Sequence, residues 1–151
     1  MSTPQPTTPQ PTTPTTQAAP AKPVPPPDAL SRPYWDAARE GRLLLQRCGA
    51  CGTPRHYPQI LCGRCQSDAV DWFEAAPTGT VHSWTVAHHP YHPAFAAEVP
   101  YTLVIADMHA GVRMLGHYRG TVPIALGQPL GLVFEPDAQG TPVPVFRPAS
   151  A

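Results

Sequence analysis

The sequence predicts a mainly β protein: a short N-terminal helix, a four-cysteine metal ribbon, and five strands forming a small barrel or sandwich. Three observations carry this. All four cysteines fall in two Cys-x-x-Cys pairs. From residue 78 onward, short runs of apolar and β-branched residues alternate with turns containing Gly or Pro. Ahead of the cysteines, one segment carries helix start and stop signals. In that segment Ser31 can cap a helix, Pro33 suits its first turn, and Tyr34, Trp35, Ala37 and Ala38 follow before Gly41 stops it. The helical unit is residues 28–41. Leu43, Leu44 and Leu45 then lead as a strand into Arg47 and Cys48, opening a ribbon over residues 42–76. Asp68, Asp71 and Glu74 close that unit as a polar linker. Strands are expected at residues 80–87, around Val81, Trp84 and Val86, and at 102–106 and 112–118. Residues 107–111 supply a hairpin connection between the last two. Gly127 and Pro129 mark a turn within 124–131. Strands at 132–135 and 143–146 complete a domain over residues 77–148.

Residues 1–27 differ in composition. They are mostly Pro, Thr, Gln and Ala, and Lys22 is their one charged side chain. Such a segment buries too little apolar surface to offset the entropy of ordering, so it reads as a disordered tail with polyproline-II character. It lacks the basic start and apolar core of a signal peptide. No run reaches the length of a membrane span. Ten basic residues balance ten acidic ones, and Lys22 is the sole lysine. That balance disfavours general nucleic-acid binding, which relies on many phosphate contacts. Arginine used almost without lysine, with much Ala and Pro, suggests a bacterial genome of high GC content.

The pairs Cys48-Gly49-Ala50-Cys51 and Cys62-Gly63-Arg64-Cys65 stand ten residues apart. Two such knuckles fold back so that four thiolates meet at one tetrahedral ion. Two disulfides are the competing reading, and a cytoplasmic chain disfavours them. The soft all-sulfur set selects zinc or iron. Zinc would be structural, because four thiolates leave no position open for water or substrate. Iron would make a rubredoxin-like electron carrier. The same segment carries Arg42, Arg47, Arg55 and Arg64, with no acid between Gly41 and Gln66. These arginines would offset the formal charge of the thiolate site, or meet a phosphate-bearing ligand.

His82, His88, His89 and His92 cluster, but prolines break the stretch and deny it a helical metal face. It reads as an exposed or interface loop, with Tyr91 and Phe95 as aromatic anchors. His109 and His117 suit packing roles. Nucleophile elbow, P-loop and Rossmann fingerprint are all lacking, as is an evident carboxylate acid–base pair. No catalytic residue is therefore assigned.

The parts also occur in a familiar order. Tyr34-Trp35-Asp36 precedes Glu40-Gly41-Arg42-Leu43. The cysteine knuckles follow, with Tyr57-Pro58 between them. Gly79-Thr80-Val81-His82-Ser83-Trp84-Thr85-Val86, Pro100-Tyr101, Gly111-Val112-Arg113-Met114-Leu115-Gly116 and Gly127-Gln128-Pro129-Leu130 complete the set. In this the chain, from about residue 32 to 148, resembles the DUF35 family (domain of unknown function thirty-five). The resemblance implies an N-terminal helix, a rubredoxin-like zinc ribbon and a C-terminal five-stranded OB-fold barrel. It implies an accessory subunit in acyl-CoA metabolism, paired with a thiolase-like enzyme or with a MaoC-like enoyl-CoA hydratase. Cys48, Cys51, Cys62 and Cys65 would then hold zinc, and Arg42, Arg47, Arg55 and Arg64 could contact acyl-CoA phosphates. The expected assembly is a cytoplasmic hetero-oligomer. A single-stranded nucleic-acid binder is the alternative from another class, since OB barrels commonly serve there. The barrel segment's cations, Arg113, Arg119 and Arg147, set against Glu98, Asp107, Glu135 and Asp137, speak against it.

Overall fold

A computed structural model describes residues 20–24, 26–137 and 139–149. Most of the predicted tail, residues 1–19, lies outside them. Its charged residue is inside: Lys22 ion-pairs with Glu98 and sits 5.0 Å from the centre of the Phe95 ring.

Helix α1 spans Arg32–Arg39 with Pro33 in its first turn. Ser31 stands at the N-cap position but makes no side-chain cap bond. Asp28 takes over the entry: its Oδ1 accepts from Ser31 N at 2.7 Å, and its carbonyl accepts from Arg32 N at 2.9 Å. At the other end the N–H groups of Glu40 and Gly41 turn back to Ala37 and Ala38. The helix buries Tyr34, Ala37 and Ala38.

The ribbon sheet has three strands in the order β2-β1-β3, with β1 at Leu44–Cys48, β2 at Pro54–Arg55 and β3 at Val70–Glu74. The third strand corrects the sequence reading, which placed a polar linker there. Five antiparallel pairs, from Leu44↔Glu74 to Cys48↔Val70, fix it against β1. Trp72 and Phe73 are half-buried there, whereas Asp71 and Glu74 face solvent.

The remaining strands are β4 (Thr78–Ala87), β5 (Tyr101–Met108), β6 (Arg113–Tyr118), β7 (Pro129–Pro136) and β8 (Pro142–Pro148). They close as a barrel in the order β4-β5-β6-β8-β7. All pairings are antiparallel except β6 with β8, where His117↔Val145 and Tyr118↔Phe146 run parallel. This is the five-stranded OB architecture. All five expected strands are present; the hairpin expected at 107–111 begins later, because Asp107 and Met108 still belong to β5.

Closure depends on close approaches at glycines: a Cβ on Gly79 of β4 would stand only 2.5 Å from the Asp107 carbonyl oxygen of β5. A Cβ on Gly116 would stand 2.8 Å from the Pro144 carbonyl oxygen and 2.9 Å from the Phe146 ring, so only glycine lets β6 reach β8. Strand alternation fills the interior: Val104, Ala106, Met108 and Met114 point in, while Ile105 and Leu115 point out. Phe146 is fully buried. Tyr34, Leu43 and Leu45 join the same apolar cluster as Val81, Leu130, Leu132 and Phe146, so helix, ribbon and barrel share one core. Tyr34 meets Phe134 of β7 edge-on, with ring centres 6.0 Å apart. Among the described residues no helix is long and apolar enough to cross a membrane.

Candidate metal centre and adjoining cleft

The two knuckles fold alike because the same backbone bonds close each. Cys48 N donates to Thr53 O and Gly52 N donates to Cys48 O, each at 2.9 Å. Cys62 N donates to Ser67 O and Gln66 N donates to Cys62 O, again at 2.9 Å. In each, the residue after the second cysteine is left-handed, with φ of 71° at Gly52 and 62° at Gln66. Gln66 is the one non-glycine with positive φ among the described residues.

This closure brings the four sulfurs within 4.8 Å of one another. Cys48 Sγ lies 3.5 Å from Cys65 Sγ, and Cys51 Sγ lies 3.7 Å from Cys62 Sγ. These separations are far too long for disulfides, whose sulfurs stand about 2.05 Å apart. They suit the edges of a tetrahedron, which for metal–sulfur bonds of about 2.3 Å are about 3.8 Å long. Cys48 and Cys62 are buried, whereas Cys51 and Cys65 lie toward solvent. Donors aimed at sulfur favour the thiolate, the form that binds metal. Thr53, with its hydroxyl 3.2 Å from Cys51 Sγ, draws that thiol down to about 6. The N–H groups of Cys65 and Arg64 lower Cys62. The four cysteines are thus grouped so that they could hold one soft, tetrahedral ion.

The four arginines singled out in the sequence take different places. Arg42 is held by Glu40 and by Glu74, the latter at 3.1 Å. Arg47 is exposed and sits over the Phe73 ring at 5.1 Å. Arg55 and Arg64 come together at a cleft of about 500 Å³ between ribbon and barrel. Its walls also include Pro54, His56 and Gln59 from the ribbon, and Gly111, Val112 and Arg113 from the β5–β6 turn. Arg113 was not among the candidates; it lies far away in sequence and reaches the cleft only through barrel closure. Its Nε donates to Asp107 Oδ1 at 2.7 Å, and His82 Nδ1 lies 2.9 Å from Oδ2 of the same carboxylate. The Arg113 bond, helped by His82, holds Asp107 below the usual carboxylate range. Burial alone pulls His56 down to about 4, so it is neutral near pH 7.

Among the described residues the four cysteines are the one group of three or more such side chains gathered closely enough to hold an ion, and the histidines of the loop are not gathered in that way. His92 caps a 3₁₀ turn, Pro93–Phe95, by accepting from Ala94 N at 3.2 Å. His92, Phe95, Tyr101 and His117 then stack along the barrel end with ring centres 5.3–6.4 Å apart. Tyr91 is 85% exposed and meets the His89 ring edge-on, with centres 5.2 Å apart.

Comparison with known proteins agrees with this architecture. Residues 35–71 match the ChsH2 rubredoxin-like zinc ribbon domain, and residues 72–135 match the ChsH2 C-terminal OB-fold domain. A chain of the solved structure named "Ltp2-ChsH2(DUF35) aldolase" is 41% identical, with a TM-score of 0.73. That match covers 84% of this chain and all of the other. A DUF35 protein of unknown function from Sulfolobus solfataricus has the same fold, with a TM-score of 0.56 at 11% identity, over 78% of this chain and 84% of that one. Two curated relatives carry hydratase names. The "probable enoyl-CoA hydratase alpha subunit" of Thermomonospora curvata is 44% identical over 119 residues, 77% of this chain. The "3-oxo-4,17-pregnadiene-20-carboxyl-CoA hydratase alpha subunit" of Mycobacterium tuberculosis is 33% identical over 114 residues, 69% of this chain. This chain spans 36% of the length of each. With ribbon, barrel and their order all matched, the chain belongs to the ChsH2 (DUF35) family.

Proposed function

We propose that this chain is a non-catalytic accessory subunit of a thiolase-superfamily enzyme, a thiolase, aldolase or acyltransferase, acting on acyl-CoA in the cytoplasm. One observation carries the reading: a chain 41% identical, matched along its whole length, is part of an aldolase named for two components. The local chemistry supports it. Cys48, Cys51, Cys62 and Cys65 suit structural zinc, and a four-thiolate shell leaves zinc no open position for hydrolysis. Of the four candidate arginines, Arg55 and Arg64 face a cleft suited to the coenzyme's phosphates. The exposed Tyr91 and the Phe95 turn beside it offer anchors for the partner.

A second reading, accessory to a MaoC-like enoyl-CoA hydratase, is favoured by the names of the two curated relatives. Since this chain spans 36% of each, their hydratase activity is not assigned to this segment. Single-stranded nucleic-acid binding is the weakest reading. Arg113, Arg119 and Arg147 of the barrel are each ion-paired, with Asp107 or Glu135. Co-expression of this chain with the thiolase-like and the MaoC-like proteins encoded nearest to it separates the readings. Co-elution with the first and not the second is expected. Exclusive co-elution with the hydratase would move the assignment, and elution alone from both would refute the accessory role.

A further inference from the structure

Among the described residues, every buried side-chain nitrogen or oxygen without a hydrogen-bond partner belongs to one small patch. These atoms are Gln46 Nε2, Arg55 Nε, Nη1 and Nη2, and His56 Nδ1. Gln46 and Arg55 face each other across β1 and β2, so their side chains share one face of the ribbon sheet. Gln46 uses its Oε1 to accept from Gln59 N at 2.9 Å, which leaves its amide nitrogen as a bare donor. Arg55 is only 6% exposed, and all three of its nitrogens lack an acceptor. A buried guanidinium without a counter-charge is among the costliest arrangements a protein can hold. Native structures satisfy nearly all buried polar groups, so a bare one calls for an acceptor from outside the chain, whether an ordered water, an ion or a ligand. Arg55 lies on the wall of the cleft described above, with Arg64 and Arg113 beside it.

We propose that this cleft binds the terminal 3′-phosphate of coenzyme A, with Arg55 as its floor and Arg64 and Arg113 at its rim. The inference rests on the acyl-CoA reading above and deepens it by choosing the group recognised. A phosphomonoester is close to a dianion near pH 7 and presents three terminal oxygens. That number suits a guanidinium whose three nitrogens all lack an acceptor. Each phosphorus of the coenzyme's diphosphate carries about one negative charge and spends oxygens on bridges, so it compensates a buried arginine less well. Charge also favours the dianion. The cage with zinc bound carries a formal charge of minus two, so an anion beside it needs a surplus of guanidinium. Arg113 already spends Nε on Asp107, and its terminal nitrogens remain for the rim. At about 500 Å³ the cleft is far larger than a phosphate, which leaves room for ribose and adenine beside Pro54 and Val112.

The test is titration of the zinc-loaded full chain, alone and in complex with its partner enzyme. The probes are coenzyme A, 3′-dephospho-coenzyme A, adenosine 3′,5′-bisphosphate, 5′-AMP and inorganic phosphate. Coenzyme A should bind at least tenfold more tightly than its dephospho form, and the bisphosphate should outbind both 5′-AMP and free phosphate. Arg55→Met should remove that discrimination while keeping or raising the melting temperature, because it deletes an unpaired buried charge. Arg64→Ala, at an exposed position, should reduce it at least threefold and serves should the first variant fold poorly. Equal binding of the two coenzymes, or discrimination surviving both substitutions, would overturn the inference, as would free phosphate binding as tightly as the bisphosphate. If discrimination is lacking while the complex forms and turns over, the phosphate assignment fails and the accessory reading stands. If no complex forms, the accessory reading fails, and titration of the chain alone still decides the cleft.

Discussion

Replacing Gly52 with alanine and, separately, Gln66 with glycine should move stability in opposite directions. The two positions are equivalent in the two knuckles, and both are left-handed, at φ of 71° and 62°. A Cβ at Gly52 would meet nothing within 4 Å, so the substitution reports backbone strain alone. Left-handed geometry costs a residue with a Cβ about 1–2 kcal/mol. The gain from a less flexible unfolded chain returns about 0.5–1 kcal/mol. Gly52→Ala should therefore lose about 1 kcal/mol, and Gln66→Gly should gain about 0.5–1 kcal/mol. For a domain of this size each kcal/mol moves the melting temperature by about 3–4 °C. Calorimetry at one fixed free zinc concentration is the assay, since metal binding itself shifts the transition. A loss on Gln66→Gly, or no loss on Gly52→Ala, would show that the matched knuckle geometry is wrong. In chelator, where the ribbon lacks its ion, both effects should shrink together.

Removing two ligands, Cys48→Ala with Cys62→Ala, should abolish stoichiometric zinc in elemental analysis and expose the ribbon to limited proteolysis, because binding and local folding share one free energy. Phe146→Ala empties the middle of the shared core and should cost about 3–5 kcal/mol in chemical denaturation. His56 gives a pH prediction. Burial depresses its folded pKa from 6.5 to about 4, so below pH 6.5 the unfolded chain binds the extra proton first. Stability is full above pH 6.5 and falls as the pH drops toward 4, by up to about 3 kcal/mol. His56→Phe should flatten this acid limb relative to the parent, while thiolate protonation affects both proteins alike.

Much of this architecture was readable from local chemistry. Cysteine spacing dictates the cage, because two short knuckles can present four sulfurs to one ion wherever the rest of the chain goes. The barrel strands announce themselves through alternation such as Val104, Ala106 and Met108 against Ile105. Strand β3 was harder. Asp68, Asp71 and Glu74 suggested a linker, although Val70, Trp72 and Phe73 interleaved with them are β-forming residues. The helix entry went to Asp28 in place of Ser31, a choice between two neighbouring polar side chains that local propensity does not settle. The cleft was least legible. Sequence marked Arg42, Arg47, Arg55 and Arg64 as one group, yet Arg42 is taken by carboxylates and Arg47 by an aromatic ring. What separates Arg55 from them is its burial at a cleft whose other wall is a turn some sixty residues later in the chain. Arg113 arrives by the same route. Such long-range placement leaves no local pattern.

Reconstitution tests the central claim most directly. The thiolase-like partner is purified without this chain and then titrated with it while acyl-CoA turnover is followed. The account predicts no turnover by this chain alone, little by the partner alone, and a rate that rises and saturates at a fixed ratio of the two. Turnover by the purified chain, or a partner whose rate and acyl-CoA Michaelis constant are unmoved by adding it, would contradict the account.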